Sequence, residues 1–186
     1  IRIVVGFAPG GATDIASRAI GQKLSDALRQ SVVVDNRPGA SGNIAAEVVA
    51  KAPPDGHTLF MANATIVIPS LFAKLPFDVN KDLVPISLVA IGPSVLAAHP
   101  SLPVKNAKEL IALAKAKPNH VLYGSGGLGN STHLAMELFT WMAGVQMVHV
   151  PYKGGAPSTI ALVTGEVHVS FSSIASAMSQ IRAGKV

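Results

Sequence analysis

Short apolar segments alternate with helical segments along almost the whole chain, and this order constrains the fold more than any other feature. Residues 1–5 form an apolar segment typical of a buried strand, and residues 14–30 place apolar side chains at helical spacing. Two further strands, at 31–35 and 58–62, flank a helix at 43–51. This β-α-β-α-β order predicts a parallel sheet with helices packed on its faces.

The second half of the chain repeats the pattern. Two strands are expected at 86–91 and 95–99, and strands and helices then alternate at 106–117, 121–124, 132–143, 147–150, 158–164, 167–171 and 176–183. Hydrophobic residues make up 49% of the 186 residues and charged residues 13%, which is enough apolar material for one large or two small cores. The predicted fold class is α/β with mostly parallel sheets.

Charge and cysteine content remove several classes of function. The formal net charge is +5, but the basic residues are scattered and no aromatic residues lie between them, so nucleic-acid binding is not expected. The chain has no cysteine, which excludes disulfides and thiolate metal sites. Its most apolar stretch, 83–99, is interrupted by Pro85, Gly92 and Pro93, so no membrane helix is expected. Because residue 1 already lies in a strand, a mature or trimmed chain without its signal peptide is expected.

The sequence "VVGFAPGGATD" runs from a strand through Pro9, Gly10 and Gly11 into a helix that Thr13 or Asp14 could cap. Glycine amides at a helix N-terminus suit an anion, although many such turns only cap a helix. The lysine of a phosphate-binding P-loop is missing, and the glycine spacing does not fit a dinucleotide site. An anion other than phosphate therefore remains one reading, beside a plain helix cap.

A second loop, "GSGGLGNSTH", precedes the predicted helix at 132–143. It resembles a dinucleotide fingerprint but lacks the acidic residue that should follow. Ser125 suggests a nucleophile elbow, yet Tyr123 stands where that motif needs glycine. His133 and Glu137 have the i,i+4 spacing of a metal pair, but no third ligand is evident, so no metal site is predicted.

A third loop, "PYKGGAP", again directs two glycines, Gly154 and Gly155, at a helix start. Tyr152 and Lys153 could serve a ligand there or simply line the surface. Loops suited to binding an anion thus occur in both halves of the chain. No pair of carboxylates or other set of catalytic side chains accompanies them in the sequence. That combination favours a hinged binding protein over an enzyme, with no cofactor.

Several stretches together resemble one known family over essentially the whole chain. They are "IRIVVGFAPGGATDIASRAI", "VVVDNRPGASGNIAAEVVAKAPPDGHTL", "KDLVPISLVA", "SLPVKNAKELIALAKAKP", "LYGSGGLGNSTHLAMELF" and "HVPYKGGAPSTIALVTGEV". They are similar to the substrate-binding proteins of tripartite tricarboxylate transporters, the Bug family. The resemblance implies a two-lobed, periplasmic receptor without catalytic activity. Such a receptor binds a small carboxylated acid in a cleft between its lobes and delivers it to a membrane permease.

The resemblance also implies a set of ligand-binding residues that border the cleft. They are Ala8, Pro9, Gly10, Gly11, Ala12, Thr13, Asp14, Asn63, Ala64, Ser125, Gly126, Gly127, Gly129, Asn130, Ser131, Thr132, His133, Tyr152, Lys153, Gly154 and Gly155. Several relatives carry an acidic residue where this chain has Ser172 and Ser173. This difference favours a purely acidic ligand over an amino acid.

Relatives in the family continue well beyond the last residue of this sequence. The first lobe is therefore expected at 1–96, and it is expected to be incomplete. The second lobe is expected at 97–186, and the segment that returns to the first lobe is expected after 186. A monomer is expected, with domain swapping through an exposed sheet edge as a risk. Two rival hypotheses remain: a Rossmann-like enzyme using the Ser125 loop, which nucleotide binding would reveal, and the effector-sensing domain of a regulator, which a secretion signal would exclude.

Overall fold

A computed structural model describes residues 1–68 and 75–186. Contacts divide the chain into two compact units, Ile1–Ile91 and Gly92–Val186, each with its own sheet. The predicted lobes, 1–96 and 97–186, stay a prediction, because these units are defined by contacts within this chain alone. In the described part of the chain, no helix combines the length and apolar character needed to cross a bilayer.

Unit 1 is built on a three-stranded parallel sheet in the order β2-β1-β3. Its elements are β1 (Arg2–Val5), α1 (Ala12–Leu28), β2 (Val33–Asn36), α2 (Asn43–Ala50), β3 (Thr58–Met61) and the short α3 (Val79–Asp82). β1 is the central strand, and the side chains of Val4 and Val5 are fully buried. Because all three strands run in the same direction, their carboxyl ends meet at one edge, and the loops after them lie there together.

Two glycine-rich loops touch at that edge. Gly6 follows β1, and a methyl group added to it would lie 2.4 Å from the Cα atom of Gly42, which precedes α2. The approach to α2 is a single tight turn in which Gly39, Ala40, Ser41 and Gly42 all have positive φ angles. The sequence "NRPGASG" thus folds into a left-handed turn that presses against the loop after β1, and only glycine fits at the contact.

Unit 2 contains a four-stranded sheet in the order β4-β7-β5-β6, in which β4 is antiparallel and the other three strands are parallel. Its elements are β4 (Ser94–Ala98), α4 (Ala107–Ala116), β5 (Leu122–Ser125), α5 (Ser131–Ala143), β6 (Val148–Pro151), α6 (Gly155–Thr164), β7 (Val169–Ser173) and α7 (Ile174–Arg182). The α/β class with mostly parallel sheets is confirmed.

The core of unit 2 lies on both faces of β5 and β7. On one face, Tyr123, Met136 and Val169 belong to a cluster that α4 and α5 cover. On the other face, Leu162 of α6 packs with Ala97 and Val167. Burial of apolar side chains on both faces holds the covering helices on the sheet. It also fixes the helix N-termini at the ends of β5 and β6.

The predicted strand at 86–91 is wrong. The segment has no regular secondary structure, and its apolar side chains face solvent, with Ile86 79% and Ile91 85% exposed. Pro85 and Pro93 border it and lack amide protons, and none of the described strands pairs with it. An apolar composition forms a strand only when the backbone has a partner, and here it has none.

Two smaller features concern helices. Residues 76–85 contain the one-turn helix α3, which the side chain of Asp78 caps by accepting from the amide of Asn80. α6 begins at Gly155, three residues before the predicted start at 158. Pro157 therefore lies inside the first turn of α6, where its missing amide proton removes no helical hydrogen bond.

The contact between the two loops of unit 1 gives a stability test. We expect Gly6→Ala to lower the free energy of unfolding by about 1–3 kcal/mol, because its methyl group would meet backbone atoms that cannot move aside. Gly92→Ala is the matched control, since nothing lies within 4 Å of its added methyl group. Urea denaturation of both variants measures the difference, and equal stabilities would contradict the contact.

Candidate functional site

The loop after β1 is held by the carboxylate of Asp14, which is 3% exposed. It accepts hydrogen bonds from the amide of Gly10 at 2.9 Å, from Nε of Arg18 at 3.0 Å and from Nδ2 of Asn36 at 3.0 Å. Nδ2 of Asn36 also donates to the carbonyl of Phe7. A single buried carboxylate therefore ties the loop to α1 and to the end of β2.

Burial alone would raise the pKa of Asp14, but the hydrogen bonds from Arg18, Gly10 and Asn36 outweigh it and lower the pKa below its usual value. The group is thus a carboxylate at neutral pH. It lies in the first turn of α1, where the helix dipole also favours a negative charge. The anion that the glycine-rich sequence anticipates at Gly10 is, in this structure, the chain's own Asp14.

The remaining donors of this loop belong to the first turn of α1. Gly11 is the N-cap residue, and no side chain caps the helix. The amides of Ala12 and Thr13 have no intrahelical acceptor, because the first intrahelical bond runs from Ile15 to the carbonyl of Gly11. This leaves an uncapped helix N-terminus beside a loop that Asp14 holds in place.

The residues predicted after β3 have a local structural role. Oδ1 of Asn63 accepts a hydrogen bond from the amide of Thr65 and so caps a 3₁₀ turn at Ala64–Val67. Ala64 is exposed at the start of that turn. Both residues follow β3 at the edge where the loop after β1 also lies, so the structure brings these predicted residues of unit 1 to one end of its sheet.

In unit 2, the loop between β5 and α5 uses its own side chains to bind its amides. The amide of Gly126 donates to Oγ1 of Thr132 at 2.9 Å, and that of Gly127 donates to Oγ of Ser125 at 3.1 Å. The amide of Gly129 donates to Nδ1 of His133 at 3.1 Å. The amide of Thr132 itself donates to Oδ1 of Asn130, the N-cap residue of α5. The predicted backbone donors of this loop are therefore occupied.

A cluster of rings lies beneath the same loop. His133 and His149 stack with their ring centroids 4.1 Å apart, and His149 stacks on Tyr123 at 4.8 Å. Nε2 of His149 lies 2.6 Å from Oγ of Ser125, which is fully buried. The hydroxyl of Tyr123 donates to Oε1 of Glu137. We name these five residues, Tyr123, Ser125, His133, Glu137 and His149, the His133 cluster.

Sequence reasoning missed His149. It is one of several histidines dispersed along the sequence, but β6 pairs in parallel with β5, and the register places His149 directly beside Tyr123. The order of the strands is a signal that could have revealed this pair. His149 lies two positions before the end of β6, and Tyr123 lies two positions before the end of β5. Burial, followed by the neighbouring His133, lowers the pKa of His149 to about 4.

The predicted pair of His133 and Glu137 has its Nε2 and Oε1 atoms 3.9 Å apart. Within residues 1–68 and 75–186, no group of three or more His, Cys, Asp or Glu side chains is arranged so that it could hold a metal ion. Ser125 also differs from an exposed nucleophile, because it is buried and its oxygen accepts the amide of Gly127. The geometry of the cluster is that of a support for the loop.

The third loop leads into α6, which also lacks a side-chain cap. Its N-cap residue Gly154 has a φ of 136°, a conformation that favours glycine, and it is followed by the amides of Gly155 and Ala156 in the first turn. Lys153 is exposed beside them, and the amide of Tyr152 donates to the carbonyl of Ser125. The predicted residues of the second and third loops therefore adjoin one another in unit 2.

The role of Asp14 can be tested by removing its charge. We expect Asp14→Asn to lower the free energy of unfolding at neutral pH by about 1–3 kcal/mol, because Arg18 loses its partner and one buried donor is left unpaired. Asp26→Asn is the control, since Asp26 is an exposed carboxylate on the same helix.

The same variant should change the dependence of stability on pH. Because the pKa of Asp14 is lowered by folding, its contribution is complete above the ordinary value of 3.8 and is lost as the pH falls below it. Urea midpoints measured between neutral pH and about pH 3 should therefore decline less steeply in Asp14→Asn than in the unmodified protein. Parallel declines would show that Asp14 is not held as described.

Comparison with known proteins identifies the family to which the chain belongs. Residues 16–186 match the model of the tripartite tricarboxylate transporter family receptor. The protein BugT of Bordetella pertussis is 36% identical over 189 residues, which cover 100% of this chain and 58% of BugT. The structure of Rpa4515 of R. palustris with adipate is 37% identical and superposes with a TM-score of 0.93. It covers 100% of this chain and 62% of that protein.

MatC from Rhodopseudomonas palustris, solved with bound malate, is 32% identical with a TM-score of 0.91, and the comparison covers 100% of this chain and 64% of that one. The chain thus spans about three-fifths of the length of these relatives. The match to the family model includes the loop after β5, the loop before α6 and most of α1. The chain belongs to the tripartite tricarboxylate transporter receptor family.

Proposed function

We propose that the protein containing this chain is a periplasmic receptor that binds a small dicarboxylate and delivers it to a membrane permease of the transporter. It performs no chemical reaction on its ligand and uses no cofactor. The family description supports the receptor role, and the adipate and malate in two relatives support the ligand class. The same family membership supports the proposed permease and periplasmic location.

The observation that carries the proposal is the uncapped N-terminus of α1. A helix start with free amides attracts a carboxylate through hydrogen bonds and through the positive end of the helix dipole. The amide of Gly10 already donates its hydrogen bond to Asp14, so the incoming carboxylate is proposed to bind the amides of Ala12 and Thr13. Residues 8–11 form the wall of this position.

We assign unit 2 a second group of donors. The uncapped start of α6 offers the amides of Gly155 and Ala156, and the exposed Lys153 adds a positive charge beside them. The loop at 125–133 supports this position through the hydrogen bond between Tyr152 and Ser125, and the exposed Ser131 contributes a hydroxyl group. On this proposal each unit carries donors that suit a carboxylate.

The end of β7 favours an acid without an amino group. Ser172 is 4% exposed, and the hydroxyl of Ser173 accepts a hydrogen bond from the amide of Ser176 at the start of α7. An ammonium group needs a carboxylate or several free acceptors nearby. Neither serine supplies a negative charge, so an α-amino acid would leave its cation unpaired at this place.

Calorimetry on the full-length protein tests the ligand class. We expect malate, adipate or another dicarboxylate to bind with a dissociation constant near ~1 μM, or about −8 kcal/mol. Aspartate, which has two carboxylates and an amino group, is the matched comparison and should bind at least about tenfold more weakly than malate. A broad acid panel without a single binder, or tighter binding of aspartate, would overturn the proposal.

The role of the α1 amides can be tested without altering a side chain that binds anything. Ala12 is exposed at the first helical position, where proline is tolerated, and Gly11 before it already has the extended conformation that proline requires. We expect Ala12→Pro to remove one amide donor and to weaken dicarboxylate binding by about tenfold, with little loss of stability.

Ala12→Gly is the matched control, because it changes the side chain and keeps the amide. It should retain binding within about twofold, since no hydrogen bond to a carboxylate is lost. Calorimetric affinities of the two variants, together with their melting temperatures, separate a lost donor from a damaged helix. If both variants bind like the unmodified protein, the carboxylate does not bind the start of α1.

A further inference from the structure

The His133 cluster has no part in the proposed ligand contacts, yet it lies directly under the loop at 125–133. Its members come from three elements: Tyr123 and Ser125 from β5, His133 and Glu137 from α5, and His149 from β6. Two imidazole rings stack at 4.1 Å beside the apolar cluster that contains Tyr123 and Met136. Their protonation states can be deduced from their hydrogen-bond partners.

The tautomer of His133 follows from its contact with Gly129. A backbone amide is always a donor, so Nδ1 of His133, 3.1 Å from the amide nitrogen of Gly129, is an acceptor and carries no proton. The ring is then neutral with its proton on Nε2, the atom that faces Oε1 of Glu137 at 3.9 Å. A second proton could be added only at Nδ1, where the amide proton of Gly129 already points.

We propose that His133 is a positioning residue whose neutral ring holds Gly129 and with it the loop at 125–133, so that protonation of the ring in acid releases this part of the loop. Gly129 has a φ of 75° and lies immediately before Asn130, which caps α5. Loss of its bond therefore frees the residue that sets the approach of the chain to α5. The effect on ligand affinity rests on the function proposed above, whereas the effect on the loop does not.

His149 differs from His133 in the way it would respond to a proton. Its partner, the hydroxyl of Ser125, can donate to an unprotonated Nε2 or rotate to accept from a protonated one. Ser125 has a second acceptor for its proton in the carbonyl of Gly127, although at 3.4 Å. A hydroxyl can reverse its role and an amide cannot, which is why the inference concerns His133.

The groups around His133 set the direction of its titration. Glu137 on α5 favours the protonated ring and burial opposes it. The stacked His149 of β6 and Tyr123 of β5 are both neutral, because burial lowers the pKa of His149 and raises that of Tyr123. β7 also packs against α5 and carries no titratable side chain, and the charged side chains of α4 are exposed. Burial is the largest influence and lowers the pKa of His133.

Because folding lowers this pKa, the bond to Gly129 is complete above the ordinary histidine value of about 6.5 and is lost as the pH falls below it. Release of the loop is therefore expected in mildly to strongly acidic solution. A receptor exposed to external pH would then lose affinity in acid through its own loop, in addition to any protonation of the ligand.

The loop can be observed directly by NMR on the full-length protein without any ligand. We expect His133 to show the Nε2-protonated tautomer at about pH 8. Once the ring is protonated, the protection of the Gly129 amide against exchange, taken relative to an unstructured amide at the same pH, should fall at least about tenfold. His133→Asn is the matched variant, because Oδ1 of asparagine occupies the place of Nδ1 and does not titrate. Its Gly129 amide should keep its excess protection throughout the acid range.

Affinity for malate and adipate provides the second readout. Between about pH 7.5 and the pH at which NMR shows the ring of His133 to be protonated, the unmodified protein should lose about fivefold to tenfold more affinity than His133→Asn, and comparison of the two proteins cancels the protonation of the ligand. His133→Ala should bind weakly at every pH, because it lacks the acceptor at every pH. Rescue by asparagine but not by alanine is the result expected of a positioning role.

Several results would overturn the inference. One is a Gly129 amide that stays protected while the ring of His133 is protonated, and another is an Nδ1-protonated ring at high pH. Identical pH profiles for the unmodified protein and His133→Asn would do the same for the affinity effect. If neither protein binds any acid at any pH, the proposed function fails, and the NMR measurement alone still decides the inference about the loop.

Discussion

The buried carboxylate of Asp14 is the interaction on which the candidate site of unit 1 depends. It binds the amide of Gly10, the guanidinium of Arg18 and the amide group of Asn36, and so joins the loop after β1 to α1 and β2. Without it, a loop rich in glycine would have many conformations to lose on binding a ligand. With it, the amides at the start of α1 are held in a fixed direction before any ligand arrives.

Unit 2 follows the same principle with different groups. There the amides of the loop after β5 are bound by Ser125, Thr132 and His133, and a further hydrogen bond from Tyr152 to Ser125 attaches the loop before α6. In both units the glycine-rich turn is a fixed support, and the open donors belong to the helix start beside it. A glycine-rich loop therefore does not by itself show which donors are open.

Much of the fold could be predicted from the sequence because the helices and strands have clear periodicity and short connections. The strands of both sheets, the three glycine-rich loops and the α/β class all follow from that pattern. The strand predicted at 86–91 was wrong because pairing depends on a neighbouring strand that composition does not reveal. Residues of the candidate site could be located, since the ends of parallel strands meet at one edge.

What the sequence could not show is which amides are already used. Whether Gly10 or Gly129 is free depends on rotamers of Asp14 and His133 that are decided by packing, and His149 enters only through strand register. In unit 1 the open donors therefore belong to Ala12 and Thr13, one to three residues beyond Gly10 and Gly11. In this family fold the difference matters, because it separates residues that support the site from those that would bind the ligand.

The central claim is that an incoming carboxylate binds the uncapped start of α1 while the glycine amides next to it stay occupied by the chain. Amide chemical shifts of the full-length protein, recorded during a titration with malate or adipate, test it most directly. The account predicts large shifts for the amides of Ala12 and Thr13 and little change at Gly10, whose amide remains bonded to Asp14. Large changes at Gly10 with none at Ala12 and Thr13 would contradict it.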